Sequence, residues 1–359
     1  MQQNKKKALF LYFELAGYFV SCLEKLVEQY NIEAHVVRLP VNPLAPFNFE
    51  SRNNIFYYER KDYDSDSLLE LTKKIDPDFI YCSGWSDKGY MHVSKKMMGK
   101  TPTVLTFDNP WHGTFKQHIA SITAPFVLPN YFSHCWVPGK PQVTYAKKLG
   151  FKDNQIFTGM YSANTELFDS FYKSSIGEKE KKFPHRFLYV GRYIEIKGIY
   201  DTWKSFVEFQ EETPSDWELW CIGKGENPDE FPKHPKIKDI GFVQPSELIK
   251  YINQTGVFVL SSLDEHWGVV VHEFACAGYP LLCSQHAQAA TTFLKEGENG
   301  YMHETSNIEH LKNTYRKFVA LSDEQLIEMA HQSHKISKTI TPETWSNTVW
   351  NFCNIKNGN

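Results

Sequence analysis

At 359 residues the chain exceeds the ~250–300 at which one hydrophobic core stops growing, so two domains are expected. Hydrophobic residues at 42% and charged residues at 23% exclude a disordered chain, and a net charge of −3 excludes a general nucleic-acid binder, which needs a basic surface. The charge is uneven: residues 1–165 hold 19 Lys and Arg against 15 Asp and Glu, and the rest 20 against 27, giving +4 and −7.

A basic first part suits an anionic membrane surface, and a chance imbalance of solvated charges explains it equally well. The seven cysteines are odd in number and none forms a C-x-x-C pair, which points to a reducing, cytoplasmic compartment. The chain opens Met1-Gln-Gln-Asn-Lys-Lys-Lys before the apolar run Ala8–Phe13. That run stops at Glu14, too soon for a signal sequence, and reads as a buried first strand. No stretch reaches the ~18 apolar residues that span a bilayer, so a soluble or membrane-peripheral protein is expected.

Strand and helix then alternate, which predicts an α/β protein with parallel sheets. Ala8–Phe13 is a strand, Ala16–Tyr30 an amphipathic helix and Ala34–Arg38 a strand. Phe79–Cys82 and Thr103–Phe107 are further buried strands, and Pro141–Leu149 is a short helix stopped by Gly150. Phe168–Lys182 has the polar composition of a linker and puts a boundary near residue 175. The rhythm restarts with strand Arg186–Val190, helix Gly198–Glu211 and strand Trp217–Ile222. Helix Ser246–Ile252, strand Val257–Ser261, helix Val269–Ala277 and strand Leu281–Cys283 follow, and Glu343–Phe352 is a final amphipathic segment. Two such sheets facing each other would leave a cleft at the carboxyl ends of their strands.

Four segments where strands end carry the chemistry. Val190-Gly191-Arg192 through Lys197-Gly198 places two cations after a buried strand, which suits a diphosphate. Taken alone, two solvated surface cations explain it more simply. Gly223-Lys-Gly225 is followed by Glu226-Asn-Pro and lacks the third glycine of a dinucleotide fingerprint, which weakens a dehydrogenase reading. In Ser261 through Gly278, Glu265 lies in the loop, Gly268-Val269-Val270 opens a helix and Glu273 lies one turn in. Free amides at a helix start bind anions, and carboxylates accept from vicinal hydroxyls, so a phosphate flanked by sugars fits. Glu265 acting only as a charge near the helix start is the simpler account, but it leaves Glu273 on a largely apolar helix unexplained. The loop Ser284-Gln-His286-Ala-Gln288 closes the set and reads equally well as a plain loop.

In this order the segments resemble the donor domain of glycosyltransferase family 4, the retaining group with the GT-B fold. The matching pieces are Gly191-Arg192…Lys197-Gly198, Glu265-His-Trp-Gly268, Glu273-Phe-Ala-Cys-Ala-Gly278-Tyr-Pro280 and Asn299-Gly300, within residues 185–305. The resemblance implies two Rossmann-like domains facing a central cleft: an acceptor-side domain at 1–170, a donor domain at 171–338, and a last helix within 339–359 that returns to the first domain. It implies that Arg192 and Lys197 hold the donor diphosphate, that Glu273 binds the ribose, and that Glu265 faces the sugar. The amides of Gly268, Val269 and Val270 would lie near phosphate or sugar, with Gly17, Gly191, Gly223, His266 and Trp267 completing the donor-binding set. The donor implied is a UDP- or GDP-linked sugar and the acceptor a cell-surface polysaccharide or lipid-linked glycan. With an Arg–Lys pair at the diphosphate, no metal or other cofactor is expected.

The first half matches less closely. Phe107 stands where the family often has a histidine, and Asp108, Asn109 and His112 are the substitutes in the following loop, where Asp108-Asn109-Pro110 reads equally well as a turn signal. Rival readings are a nucleotide-sugar epimerase, a phosphorylase, or a nucleotide-sugar-binding protein without turnover. His266, His272 and His286 do not have the spacing of one helix face and are not read as a metal site.

Overall fold

The computed structural model describes residues 5–40, 52–225 and 231–355. Met1–Asn4 of the basic start, Glu226-Asn-Pro after the second glycine pair, and the last four residues lie outside them. Contacts divide the chain into two units, residues 1–164 with 340–359, and residues 165–339.

The first unit runs β1 (Lys7–Leu11), α1 (Gly17–Tyr30), β2 (Glu33–Arg38), β3 (Ile55–Glu59), α2 (Ser65–Ile75), β4 (Phe79–Ser83), α3 (Lys88–Met97), β5 (Thr103–Thr106), α4 (Phe115–Val127), β6 (His134–Trp136), α5 (Lys140–Lys148) and β7 (Ile156–Phe157). The strands form one parallel sheet in the order β3-β2-β1-β4-β5-β6-β7. Its central strands are apolar on both faces because helices cover both. One face packs Phe10, Phe19, Leu23 and Trp136, and the other packs Leu9, Ile80, Leu105 and Cys135. Helix α13 (Pro342–Cys353) belongs to the first of these layers. Trp345, Val349 and Phe352 recur at helical spacing, Trp345 stacks on Phe10 at 5.8 Å, and Trp350 stacks on Tyr30 of α1 at 4.6 Å.

The second unit runs α6 (Thr165–Lys179), β8 (Arg186–Val190), α7 (Ile199–Glu212), β9 (Glu218–Ile222), β10 (Ile237–Gly241), α8 (Ile249–Ile252), β11 (Val257–Leu260), α9 (Val269–Cys276), β12 (Leu281–Ser284), α10 (Ala290–Phe293), β13 (Gly300–His303), α11 (Ile308–Val319) and α12 (Asp323–Ser337). Its sheet is also parallel, in the order β10-β9-β8-β11-β12-β13.

One expectation fails here. Phe168–Lys182 is helical to Lys179 and not a linker. Most of its polar residues face solvent, while Phe168, Phe171 and Ser175 are buried against the unit. Lys179 is buried too, its ammonium 3.9 Å over the Tyr279 ring, and that burial lowers its pKa to about 7. A charged residue on the inner face hides the apolar stripe from a composition count.

Candidate functional site

Each sheet reverses its strand order once, between β1 and β4 in the first unit and between β8 and β11 in the second. Ligands of open parallel sheets bind beyond the strand ends at such reversals. In the second unit both strands of the reversal lead into the segments singled out from the sequence.

After β8 the chain passes Gly191 and the exposed Arg192, makes one 3-10 turn over Glu195–Lys197, and enters α7 through Gly198. Gly198 has φ +66°, and a Cβ there would sit 1.8 Å from the Ser261 carbonyl oxygen. Only glycine lets this turn lie against the end of β11. The turn is tied down by the Leu263 amide donating to the Ile196 carbonyl at 2.9 Å. The buried Tyr189 hydroxyl donates to the Arg192 carbonyl at 3.0 Å. Gly223, at the end of β9, packs directly against the Gly191 carbonyl.

This closeness brings Lys197 to Glu265, residues 68 apart in the chain. Lys197 Nζ lies 2.5 Å from Glu265 Oε2, with the side chains 21% and 13% exposed. Ser262 Oγ donates to the same carboxylate oxygen at 3.3 Å. The backbone of Glu265 is clamped to the loop after β12: its amide donates to the His286 carbonyl, and its own carbonyl accepts from the Gln288 amide. An ion pair held this way at the mouth of a strand reversal is a preset charge site, because most of its ordering cost is met by the fold.

Gly268 follows at φ +90°, where a Cβ would come within 2.9 Å of Glu265 Cγ. It starts α9, and no side chain caps that helix, so the amides of Val269 and Val270 open its first turn without one. His266 is half-buried, whereas Trp267 is 2% exposed, and its carbonyl accepts from the Ala289 amide. The Trp267 ring meets Phe293 edge-on, so its side chain supports the loop. Glu273 is open to solvent only in part. Enclosure on its other sides raises its carboxyl from 4.5 to about 7. His272, next to it, is buried and donates to the Ser337 carbonyl at 2.9 Å, and His286 donates to the Leu263 carbonyl at 2.7 Å. Among the described residues no cluster of three His, Cys, Asp or Glu is placed to hold a metal.

The first unit has a site of its own. A cavity of about 440 Å³ opens where β1, β4 and β5 end, walled by Tyr12, Tyr18, Tyr81, Phe107, Asp108 and Tyr161. Tyr161 donates to Asp108 Oδ2 at 3.4 Å. Burial first, and then the Asp108 charge, holds the Tyr161 hydroxyl well above its ordinary pKa, so it stays a donor. Gln142 of α5 donates to the Asp108 carbonyl at 2.9 Å and steadies the loop. Phe107 is buried between Trp85 and Tyr145. His112 is exposed further along, its amide donating to Gln117 Oε1. Gly17 is the exposed first residue of α1, where a Cβ would meet nothing within 4 Å.

Four tyrosines of this cavity were not singled out from the sequence. Tyr12 and Tyr81 lie at the ends of strands already recognised, and that position was the available signal.

The family model described as glycosyl transferases group 1 matches residues 171–336. No curated protein sequence matches the chain. Solved structures share its fold. A glycosyltransferase from Rickettsia africae is 12% identical, with 98% of each chain covered and a TM-score of 0.70. HepE from Anabaena, solved with UDP and glucose, is 12% identical, with 96% of this chain and 98% of that chain covered at a TM-score of 0.70. Sucrose-phosphate synthase from Thermosynechococcus elongatus is 15% identical, with 97% and 98% covered at a TM-score of 0.69. The strand-end cations and carboxylates of the second unit thus lie inside a matched domain: residues 171–336 match the glycosyl transferases group 1 model, and the chain has the α/β GT-B fold of these solved structures.

Proposed function

We propose that the chain transfers a sugar, with retention, from a nucleoside-diphosphate sugar to a hydroxyl of a cell-surface polysaccharide or lipid-linked glycan. The observation that carries this reading is the Lys197–Glu265 pair beside the uncapped start of α9, at the strand reversal of the matched domain. UDP is the favoured nucleotide because HepE was solved with it; GDP is the alternative.

In this reading Arg192, Lys197 and the amides of Val269 and Val270 hold the diphosphate, Glu273 accepts from the ribose hydroxyls, and Glu265 faces the sugar. The bond from the sugar C1 to the phosphate oxygen breaks, and the departing diphosphate gains negative charge. In this reading Lys197 and Arg192 meet that charge at the strand end, so little reorganisation is needed and no metal is assigned. The acceptor oxygen bonds to C1 on the same face, and its proton passes to the departing phosphate. The cavity of the first unit is assigned to the acceptor, with Asp108 accepting from a hydroxyl and the tyrosine rings covering an apolar sugar face. The first unit is assigned to rest on a membrane, in keeping with its excess of basic residues.

The test measures donor consumption with and without acceptor, after thermal-shift screening of UDP- and GDP-sugars. Loss of one preorganised charge costs about 10²–10³ in turnover, so Lys197→Ala is expected to fall by that factor. Unchanged turnover in both Arg192→Ala and Glu265→Ala would sink the mechanism. A second reading, a nucleotide-sugar-binding protein without turnover, draws on Phe107 standing where a histidine is expected. Stabilisation by UDP with no donor consumption by any acceptor would select it.

A further inference from the structure

Helix α4 is built inside out. In a surface helix the large apolar residues face the core and the small or polar ones face water. Here Gln117, Ala120, Ser121, Ala124 and Pro125 form the less exposed side. Phe115, Ile119, Ile122 and Phe126 point outward, 80%, 48%, 69% and 81% exposed. They recur at i, i+4, i+7 and i+11, an arc of about 60° on the helix.

The helix is firmly held. Thr114 and Gln117 form a capping box at its start, and Gln117 also donates to the Pro110 carbonyl. Ala120 and Ala124 pack on the core beneath, and Pro125 meets Gly150 after α5. The apolar stripe is therefore a fixed feature of the fold.

Charge around the stripe says what it fits. Residues 109–152 contain Lys116, Lys140, Lys147, Lys148 and Lys152 and no Asp or Glu. All five lysines are exposed; Lys147 pairs with Asp153 just beyond this stretch at 2.6 Å, and Lys148 lies 4.5 Å over the Trp111 ring. An exposed apolar stripe flanked by lysines is the pattern of a helix that lies in a bilayer interface. A second copy of the chain fits less well, since a two-fold contact through this face would oppose lysine to lysine. At 13 residues α4 is about 20 Å long, and no helix among the described residues is long and apolar enough to cross a membrane.

We propose that α4 docks the first unit on an anionic lipid surface, with Phe115, Ile119, Ile122 and Phe126 inserted and the lysines against the headgroups. The position has a use that rests on the acceptor assignment above. Phe107, Asp108 and Asn109 line the cavity, and residues 110–114 lead from them straight into α4. Docking by α4 holds that cavity beside the surface where a lipid-linked hydroxyl would be presented.

The experiment is co-sedimentation of the full chain with vesicles of phosphatidylcholine alone and of phosphatidylcholine with phosphatidylglycerol. The wild type is expected to pellet with the phosphatidylglycerol vesicles, less in high salt, and poorly with phosphatidylcholine alone. Phe115→Ser with Phe126→Ser is expected to weaken the partitioning by about tenfold or more while UDP thermal shift and circular dichroism stay as in the wild type. If the double variant loses its fold, Ile122→Ser alone with the same readouts replaces it. Absence of pelleting, equal pelleting with both vesicles, unchanged pelleting of a folded variant, or a dimer dissolved by these substitutions would overturn the proposal. UDP binding and donor consumption are read separately, so failure of the transferase reading shows in those assays and leaves the pelleting result standing on its own.

Discussion

Replacing Glu273 by glutamine should separate stability from donor binding. In the folded chain the Glu273 carboxyl titrates near 7 against 4.5 when unfolded, because burial disfavours its charged form. Below pH 4.5 both states are neutral and the group costs nothing. As pH rises from 4.5 to 7 the unfolded chain releases its proton while the folded chain keeps it, so stability falls. Above 7 the loss is complete. Each pKa unit corresponds to about 1.4 kcal/mol, giving about 3.5 kcal/mol as an upper bound, since part of the side chain meets solvent. Glutamine does not titrate. Glu273→Gln should therefore match the wild type near pH 4 and gain stability over it as pH rises to 8, by about 2–4 °C in melting temperature per kcal/mol for a unit of this size. The same variant should lose about tenfold or more in UDP affinity, because an amide is a poorer partner for two hydroxyls than a carboxylate. Melting curves at pH 4, 6 and 8 with and without UDP provide the assay. A glutamine variant less stable than the wild type at pH 8, or one with the same pH dependence, would refute the argument.

Gly268→Ala forces a side chain onto φ +90° within 2.9 Å of Glu265 Cγ, and it should cost about 1–3 kcal/mol while displacing Glu265 from Lys197. Turnover should drop with the melting temperature, and unchanged turnover would mean that this carboxylate is not held for catalysis. Trp345→Ala empties a site packed on Phe10, Phe19 and Trp136 and removes the indole bond to the Met160 carbonyl. A loss of about 3–5 kcal/mol should appear in the unit of residues 1–164 and 340–359, with UDP binding by residues 165–339 unaffected. Calorimetry with and without UDP distinguishes the two units.

The strands that were recognised early are central ones. Phe79–Ser83, Arg186–Val190 and Val257–Leu260 have helices on both faces, so they read as continuous apolar runs. Edge strands lack that signature. Ile237–Gly241 buries only Ile237 and leaves Lys238 and Asp239 in solvent, and Ile55–Glu59 is mostly half-buried, so neither stands out. Helix α4 escaped for the opposite reason, since an apolar stripe turned to solvent resembles an interrupted core pattern. The strand-end segments of the second unit were legible because glycines, cations and carboxylates there interrupt apolar runs. The tyrosine cavity of the first unit was not, because its walls come from strand ends and loops between residues 12 and 161.

What the sequence determined by itself is local: the alternation of strand and helix, and the residue types at each strand's end. These follow from side-chain periodicity and backbone preference within a few residues. The tertiary structure alone decided which strands became neighbours, and so where each sheet reverses and which strand ends share a mouth. It also decided that Lys197 meets Glu265, that Asp108 meets Tyr161, and that Glu273 loses enough water to keep its proton near neutrality. Those outcomes depend on distant segments packing together, and a carboxylate's environment is a property of the packed whole.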